Sequence, residues 1–308
     1  MNTIIETKGL NYRYGTQDAV RNLDLTVPQG SIFALLGPNG AGKTTTLKTL
    51  MNIIEPSAGE AFVLGVPTKR LGAAEFQRIG YVSENQEMPD WMTVGAFLAY
   101  CRPFYPGWDE DFCSRLAKQF QLPLDRKLKH LSRGMKMKAA LLSSLAYRPQ
   151  LLVLDEPFSG LDPLARDEFI SGMLALVDEA DWTLLISSHD IEEVERLVDW
   201  VGFLERGNLR VCEPVAKLQE RFRRIEVALD TPPAPNAPPP LPHADWLDIS
   251  LIAHSLSFVE SRFHPAGIEV KVRQVYPHAR EIQSSPMTLR EIFVALARSP
   301  LPTAPALN

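Results

Sequence analysis

The sequence predicts an α/β fold built around a mainly parallel sheet. Apolar runs at Ile32–Leu36, 151–154 and 183–187 are separated by segments with helical character. Wholly apolar strands that alternate with helices are typical of parallel sheets with both faces covered. The first run is followed by a glycine-rich turn and by residues 43–51, which favour a helix. The charged run at 190–196 is predicted to form the exposed face of a further helix.

Proline marks a boundary between two regions of the chain. Seven of the 25 prolines lie in residues 231–242, TPPAPNAPPPLP, which can form neither a helix nor a central strand. We therefore predict a semi-rigid extended linker over 231–245. The predicted first domain covers residues 1–222, and a C-terminal accessory region covers 223–308.

The C-terminal accessory region is predicted to be a small α+β unit. Residues 246–253, 255–263 and 267–272 are predicted to form short strands. Residues 287–298, MTLREIFVALAR, carry apolar side chains at helical spacing and predict an amphipathic helix. The last ten residues are rich in Pro and Ala and are predicted to be a loose tail.

Composition excludes several classes of protein. With 308 residues, 45% hydrophobic and 22% charged, the chain is neither disordered nor fibrous. A net charge of −5 argues against broad nucleic-acid binding, so we expect no nucleic-acid partner. The cysteines, Cys101, Cys113 and Cys212, form no CxxC pair and predict neither a disulfide framework nor a zinc site. We expect no signal peptide and no membrane-spanning run.

A glycine-rich segment at residues 37–44, GPNGAGKT, matches the phosphate-loop pattern GxxxxGK[ST] between a predicted strand and helix. The glycines let successive backbone N–H groups turn towards phosphate oxygens, and the helix N-terminus adds its positive dipole end. Lys43 is expected to reach the β- and γ-phosphates, and the Thr44 hydroxyl to hold Mg²⁺. The predicted phosphate-binding residues are Gly37, Pro38, Asn39, Gly40, Ala41, Gly42, Lys43, Thr44 and Thr45.

A pair of acidic residues, Asp155 and Glu156, ends the apolar run LLVLDE. Open α/β sheets bind ligands at the carboxyl ends of their strands, and these acids are placed there. Asp155 is suited to Mg²⁺ ligation, directly or through water. Glu156 is suited to orienting or deprotonating an attacking water molecule.

Three further motifs are present. LSRGM at 131–135 lies between the phosphate loop and the acidic pair, and SGLD at 159–162 and SHD at 188–190 come after that pair. Together with the phosphate loop and the acidic pair, this order resembles that of the nucleotide-binding subunits of ATP-binding cassette (ABC) transporters over residues 4–218. The resemblance implies a P-loop ABC ATPase domain with a mainly parallel sheet core, an antiparallel β subdomain and a helical subdomain at about 84–147.

The resemblance also implies how the site works. Two cassettes would enclose two ATP molecules, and each ATP would be held by the phosphate loop of one subunit and the LSRGM segment of the other. Ser132 and Gly134 would meet the γ-phosphate bound by the partner. His189 would contact the γ-phosphate and help to fix the attacking water, so Glu156, His189 and Lys43 are the expected catalytic residues. Tyr14 is expected to stack on adenine, with Tyr12 as the competing candidate.

The partners implied by the resemblance are membrane-spanning permease subunits and a second cassette, identical or related. The protein would act at the cytoplasmic face of the cell membrane. Residues 287–298 resemble the closing helix of bacterial exporter-type subunits. The alternative is a soluble ABC ATPase that acts on ribosomes or DNA, which the single cassette and acidic balance disfavour. A catalytically silent regulator is disfavoured because the expected catalytic residues and Asp155 are all present.

Two segments of the chain depart from the common family pattern. LSRGM replaces LSGGQ, so Arg133 takes a glycine position and Met135 a glutamine position, while Gly134 is kept. Arg133 would either add positive charge near the γ-phosphate bound by the partner or point into solvent. At the usual glutamine position stands Glu84, which can still offer oxygen to Mg²⁺ or water. Gln86 could substitute for it if the loop shifts by two residues.

Overall fold

The computed structural model describes residues 2–177, 182–230 and 243–299, and for 175–177 it describes the backbone alone. The chain divides into two compact units, Met1–Cys212 and Glu213–Asn308. The sequence placed this boundary after residue 222 instead of 212. Residues 231–242 of the predicted linker and 300–308 of the predicted tail lie outside the described residues.

The first unit contains two sheets and a set of helices. Its strands are β1 (Thr3–Tyr14), β2 (Gln17–Leu23), β3 (Thr26–Pro28), β4 (Ile32–Leu36), β5 (Ala58–Val63), β6 (Val66–Pro67), β7 (Ile79–Ser83), β8 (Leu151–Asp155), β9 (Thr183–Ser188), β10 (Trp200–Glu205) and β11 (Asn208–Pro214), the last of which crosses the unit boundary. Its helices are α1 (Lys43–Leu50), α2 (Ala73–Phe76), α3 (Val94–Cys101), α4 (Glu110–Gln119), α5 (Arg133–Leu145) and α6 (Pro163–Val177). Short 3₁₀ turns lie at Thr68–Arg70, Arg102–Phe104, Leu128–His130 and Ile191–Glu193.

The six-stranded sheet has the order β11-β10-β4-β9-β8-β7, and the strands from β10 to β7 are parallel. Its registers pair Leu36 with Ser188, and Asp155 with both Ser187 and Ser83. The carboxyl ends of four strands therefore meet at one edge, where the phosphate loop leaves β4. All five residues of β8 are buried, as expected of a strand covered on both faces.

The other sheet of the first unit is antiparallel, with the order β2-β1-β5-β6 and β3 paired to β1. Side chains from both sheets and from α1 share one hydrophobic core, in which Ile5, Phe33 and Leu47 are fully buried. The α/β class and the parallel core, antiparallel sheet and helical parts predicted from the sequence are confirmed.

The helices α3, α4 and α5 lie between β7 and β8 and begin at side-chain caps. Thr93 accepts from the N–H of Ala96, Asp109 from that of Phe112, and Ser132 from that of Met135. Such caps satisfy backbone donors that the first helical turn leaves free. Among the described residues, no helix is long and apolar enough to span a bilayer.

The second unit is a four-stranded antiparallel sheet with helices. Its elements are β12 (Arg223–Leu229), β13 (Trp246–Ile252), β14 (Ser255–Glu260), β15 (Ala279–Pro286), α7 (Val215–Arg221), α8 (Pro265–Val275) and α9 (Leu289–Arg298). The strand order is β13-β14-β12-β15. Thr288 and Glu291 form a capping box at the start of α9, which confirms the predicted amphipathic helix.

Two predicted segments are wrong. Residues 267–272 are not a strand but part of α8, in which Ile268 and Val272 are buried at a spacing of four while Val270 is 58% exposed. Pro265 suits the first helical turn, where its missing N–H is not needed. The run at 190–196 is not an exposed helical face: it holds only a short 3₁₀ turn, and Glu193 is buried against Ser188.

Candidate nucleotide site

The phosphate loop follows β4 and is held close to neighbouring backbone. A Cβ atom added at Gly37 would lie 2.2 Å from the carbonyl oxygen of Leu204. One added at Gly42, whose φ is +105°, would lie 2.3 Å from that of Ala19. These two positions therefore require glycine, because no side chain fits at either.

Lys43, at the start of α1, turns its side chain back into the loop. Its Nζ atom donates to the carbonyl oxygen of Gly37 at 2.6 Å and to that of Pro38 at 3.3 Å. The same atom lies 3.0 Å from Oε1 of Glu156. The Lys43 side chain is 5% exposed, so its positive charge is buried within the loop and interacts strongly with nearby charges.

A cavity of about 310 Å³ opens beside the loop. Its lining residues are Tyr14, Gln17, Asp18, Ala19, Asn39, Gly40, Ala41, Gly42, Lys43, Thr44, Thr45, Glu84 and Glu156. Tyr14 is 52% exposed and meets Tyr12 edge to face at 4.8 Å between ring centroids. Tyr12 instead packs against the hydrophobic core, so Tyr14 is the tyrosine that faces the cavity.

Asp155 ends β8 and is 3% exposed. Its Oδ1 atom accepts from the hydroxyl of Thr44 at 3.0 Å and from that of Ser187 at 2.7 Å. Burial raises the pKa of Asp155, and the two hydroxyl donors offset part of that rise. Two effects raise the pKa of Tyr81 to about 12: burial is the larger, and the negative charge of Asp155 is the smaller.

The oxygen donors near Asp155 fit a magnesium ion. A carboxylate and a hydroxyl are hard ligands of the kind that Mg²⁺ uses together with water and substrate phosphates. Across the described residues, no group of three or more His, Cys, Asp or Glu side chains forms a metal cage.

Glu156 follows Asp155 with a left-handed φ of +51°, an uncommon conformation for a residue with a side chain. Its N–H donates to Ser187 Oγ at 2.9 Å, which fixes this turn against the neighbouring strand. Its Oε2 atom lies 2.7 Å from Nδ1 of His189. The carboxylate is thus held between a histidine on one oxygen and Lys43 on the other.

Glu84 lines the cavity, whereas Gln86 is exposed and is not among the lining residues. Oε1 of Glu84 accepts from Arg133 Nη2 at 3.0 Å and from Ser159 Oγ at 2.6 Å. Within its own chain, Arg133 is bonded to Glu84, and its side chain remains 48% exposed.

Ser132 and Gly134 lie at the start of α5, outside the cavity. The Ser132 hydroxyl accepts from the N–H of Met135 at 3.2 Å. A Cβ at Gly134 would meet the side chains of Leu161 and Ala165 at 3.5 Å, an ordinary contact. Within one chain, the structure therefore does not bring these residues to the phosphate loop.

Several residues of the site were not predicted from the sequence: Gln17, Asp18 and Ala19 line the cavity, and Ser187 and Ser159 contact acidic residues of the site. Ser187 bridges Asp155 and the backbone of Glu156, and Ser159 contacts Glu84. The signal for Ser187 was a polar residue at the end of an otherwise apolar strand. Ser159 lay inside a recognised motif, but its partner is 75 residues away in sequence.

Comparisons of the sequence and of the structure with known proteins point to the same family. The family described as "ABC transporter" matches residues 20–159. The ABC transporter ATP-binding protein YtrB of Bacillus subtilis (strain 168) is 33% identical over 228 residues, covering 74% of this chain and 78% of that protein. The bacitracin transport ATP-binding protein BcrA of Bacillus licheniformis is 33% identical over 226 residues, 73% of this chain and 74% of that protein.

A solved structure of the ATP-binding subunit of an ABC transporter is 28% identical and superimposes with a TM-score of 0.63, covering 71% of this chain and 92% of the other. The residues matched by the family, 20–159, include the phosphate loop, the acidic pair and the intervening helices. The chain belongs to the ATP-binding subunits of ABC transporters, whose chemistry is the binding and hydrolysis of ATP.

Proposed function

We propose that this chain binds Mg²⁺·ATP in the cavity beside the phosphate loop and hydrolyses it in a dimer of two cassettes that drives a membrane-spanning permease. One observation carries the proposal: the Glu156 carboxylate contacts Lys43 at 3.0 Å and His189 at 2.7 Å. An ammonium, a carboxylate and an imidazole at the end of a phosphate loop are the groups that phosphoryl transfer to water requires.

The cavity offers a place for each part of the nucleotide. Backbone N–H groups of the phosphate loop and the N-terminus of α1 surround the phosphates, and Lys43 contacts the β- and γ-phosphates. The half-exposed ring of Tyr14, which also lines the cavity, stacks on adenine. The volume of about 310 Å³ is within the usual range for small-molecule sites.

Thr44 and Asp155 would hold a magnesium ion, since their oxygen atoms lie 3.0 Å apart beside the loop. Glu84 lines the same cavity and supplies a further carboxylate near the metal or its water ligands. When bound, Mg²⁺ neutralises phosphate charge and orients the γ-phosphate.

Glu156 acts as the base for the attacking water. A carboxylate held on both oxygens by Lys43 and His189 has a fixed orientation, and proton transfer depends on such geometry. The His189 side chain is 40% exposed and does not line the cavity itself, so it acts through its contact with Glu156 until a nucleotide is bound.

The site is completed by a second cassette. Ser132 and Gly134 lie outside the cavity of their own chain, at the capped start of a 13-residue helix. A helix N-terminus is suited to bind an anion, so in the dimer this segment contacts the γ-phosphate held by the partner. Hydrolysis then removes the group that joins the two subunits.

The helices between β7 and β8 carry a surface suited to a permease. Trp91, Tyr100 and Phe104 are 69%, 57% and 58% exposed, and the last two rings are in contact at 5.6 Å. Clustered exposed aromatic residues mark protein interfaces more often than bare surface. Binding there places the chain at the cytoplasmic face of the membrane, and the likeness to the Nod factor export ATP-binding protein I of Burkholderia lata, 36% identical over 210 residues, favours export-type transport.

Two measurements test the proposal. The purified full chain should hydrolyse Mg²⁺·ATP, and Lys43→Ala should lose nucleotide binding; undiminished ATP affinity in that variant would remove the phosphate-loop assignment. Gentle detergent extraction of membranes containing the tagged protein should recover a stoichiometric, highly apolar partner. Recovery only with ribosomes or DNA would support the soluble ATPase instead.

A further inference from the structure

Two residues that depart from the common family pattern form a pair with each other. Nη2 of Arg133 lies 3.0 Å from Oε1 of Glu84, the distance of a charge-assisted hydrogen bond. The Ser159 hydroxyl donates to the same oxygen at 2.6 Å. One carboxylate oxygen therefore joins three segments of the chain that are far apart in sequence.

The position of Arg133 is shaped by the backbone that it crosses. A Cβ atom at Gly160 would lie 2.7 Å from Nη1 and 2.9 Å from Cζ of Arg133. The guanidinium thus lies against the backbone of Gly160, whose φ is +68°. A side chain at residue 160 would be strained by the positive φ and would require the flexible end of Arg133 to shift.

The electrostatics of the cavity explain why such a pair matters. Glu84 and Glu156 both line it, and the latter is already bonded to Lys43. ATP brings several further negative charges into the same space. A carboxylate left uncompensated there would repel the phosphates, and the repulsion is strong at short range in a partly desolvated site.

We propose that Arg133 is a positioning residue that neutralises Glu84 and holds it in place, so that this cassette can keep a carboxylate where its relatives commonly have a neutral glutamine. The glycine-to-arginine and glutamine-to-glutamate departures are then one compensated change. This inference rests on the proposed binding of Mg²⁺·ATP in the cavity. It assigns Arg133 a role in its own subunit, acting through Glu84.

The same helix provides a matched control. Lys136, three residues after Arg133, pairs with Asp90 at 3.0 Å. Both ion pairs tie the first turn of α5 to the segment that follows β7, and both are partly exposed. The Lys136–Asp90 pair does not line the cavity. Loss of Lys136 should therefore reproduce any general loosening of the helix without changing the charge beside the phosphates.

The test is the equilibrium Kd of the full chain for Mg²⁺·ATP at fixed ionic strength, with thermal unfolding recorded for every variant. Arg133→Ala should raise the Kd about fivefold, as expected for loss of one partly exposed pair. Adding Glu84→Gln to Arg133→Ala should remove most of that loss, because no uncompensated carboxylate remains. Arg133→Lys should retain most of the affinity, and Lys136→Ala should bind as the parent does.

The outcomes separate the inference from the proposed function. Unchanged affinity in Arg133→Ala would overturn the inference. A loss that persists in the double variant would also overturn it, since Arg133 would then act on phosphate directly, as across a dimer. If the parent bound no Mg²⁺·ATP, or bound it equally after Lys43→Ala, the proposed function would be lost and the inference with it.

Discussion

Nδ1 of His189 lies 2.7 Å from Oε2 of Glu156, although the two residues follow different strands and are 33 positions apart. The contact exists because β8 and β9 are parallel neighbours in register, so that their carboxyl ends coincide. With the carboxylate ionised, the imidazole N–H donates to it and orients it. The proposed base is therefore positioned by sheet topology and by one hydrogen bond.

Replacing Glu156 by Gln should separate nucleotide binding from hydrolysis. Gln keeps the size of the side chain but cannot accept the proton of the attacking water, so the hydrolysis rate should fall by about 10²–10⁴-fold. ATP binding should remain and an ATP-dependent dimer should accumulate. The checks are a steady-state phosphate-release assay and size-exclusion chromatography with and without Mg²⁺·ATP.

Glu55→Gln is the matched control for that experiment. Glu55 is a 73%-exposed acid paired with Lys69, and the same substitution there should leave hydrolysis unchanged. Hydrolysis at the parental rate in Glu156→Gln would show that another group is the base.

The parts of the site that follow from local sequence could be predicted, and the parts that follow from topology could not. The phosphate loop is contiguous, so its spacing alone predicts the strand, turn and helix around it. The contact of Ser187 with Asp155 depends on β8 and β9 being adjacent, which no local pattern shows. The Arg133–Glu84 pair is hidden for the same reason, because its partners are 49 residues apart.

The error at 267–272 has a different cause. Apolar residues at Ile268, Val270 and Val272 recur at every second position, as in a half-buried strand. They also contain an i, i+4 pair, and only that pair is buried. A segment of only six residues fits both the two-residue period of a strand and the 3.6-residue period of a helix. Packing of Ile268 and Val272 against the sheet of the second unit favours the helix.

Gly37→Ala should damage the phosphate loop by a purely steric route. The added methyl group would lie 2.2 Å from the carbonyl oxygen of Leu204, and backbone cannot move aside as a flexible side chain can. We expect a loss of stability of about 1–3 kcal/mol and weaker ATP binding. Thermal unfolding and equilibrium binding of a fluorescent ATP analogue measure the two effects.

Gly95→Ala, in the same unit, should have the opposite effect on stability. Gly95 lies in α3, where a Cβ would make only an ordinary contact with Leu124, at 3.4 Å, and alanine should stabilise the helix by about 0.5–1 kcal/mol. If Gly37→Ala were as stable as Gly95→Ala and bound ATP as the parent does, the close approach at Gly37 would not exist.

Glu260→Ala should strongly destabilise the second unit, because Glu260 is a buried acid at the end of β14. Glu260 is fully buried, and its carboxylate accepts from Trp246 Nε1 at 3.1 Å and from the N–H of Arg262 at 3.0 Å, with Lys271 at 3.5 Å. Removing it leaves buried donors and a cation without this acceptor, at a cost of about 3–5 kcal/mol. Urea unfolding followed by circular dichroism measures the change.

The control for the buried acid is Glu226→Ala, which removes an exposed acid from the paired strand β12 and should cost little. Trp246→Phe should fall between the two, because it keeps the ring stack on Phe258 and loses only the N–H donor. Equal stability of the Glu260 and Glu226 variants would contradict the role given to the buried carboxylate.

Asp155→Asn should make the protein more stable and less able to use magnesium. Because burial raises the pKa of Asp155, the ionised carboxylate costs folding free energy at neutral pH. Asn keeps an oxygen that can accept from Thr44 and Ser187 but carries no charge. Without nucleotide, we expect the Tm at pH 8 to rise by about 2–4 °C for each 1 kcal/mol of penalty removed.

The pH dependence of that difference distinguishes the charge from other effects of the substitution. A group with a raised pKa stabilises the fold below its ordinary value, near 3.8 for Asp155, and loses that contribution as the pH rises through the raised value. The advantage of Asp155→Asn should therefore be full above the raised pKa and shrink as the pH falls towards 3.8. Mg²⁺·ATP should stabilise the parent more than the variant, because binding of the ion offsets the penalty only where the carboxylate is present. A variant less stable than the parent at every pH would show that the carboxylate contributes more through its bonds to Thr44 and Ser187 than burial of its charge costs.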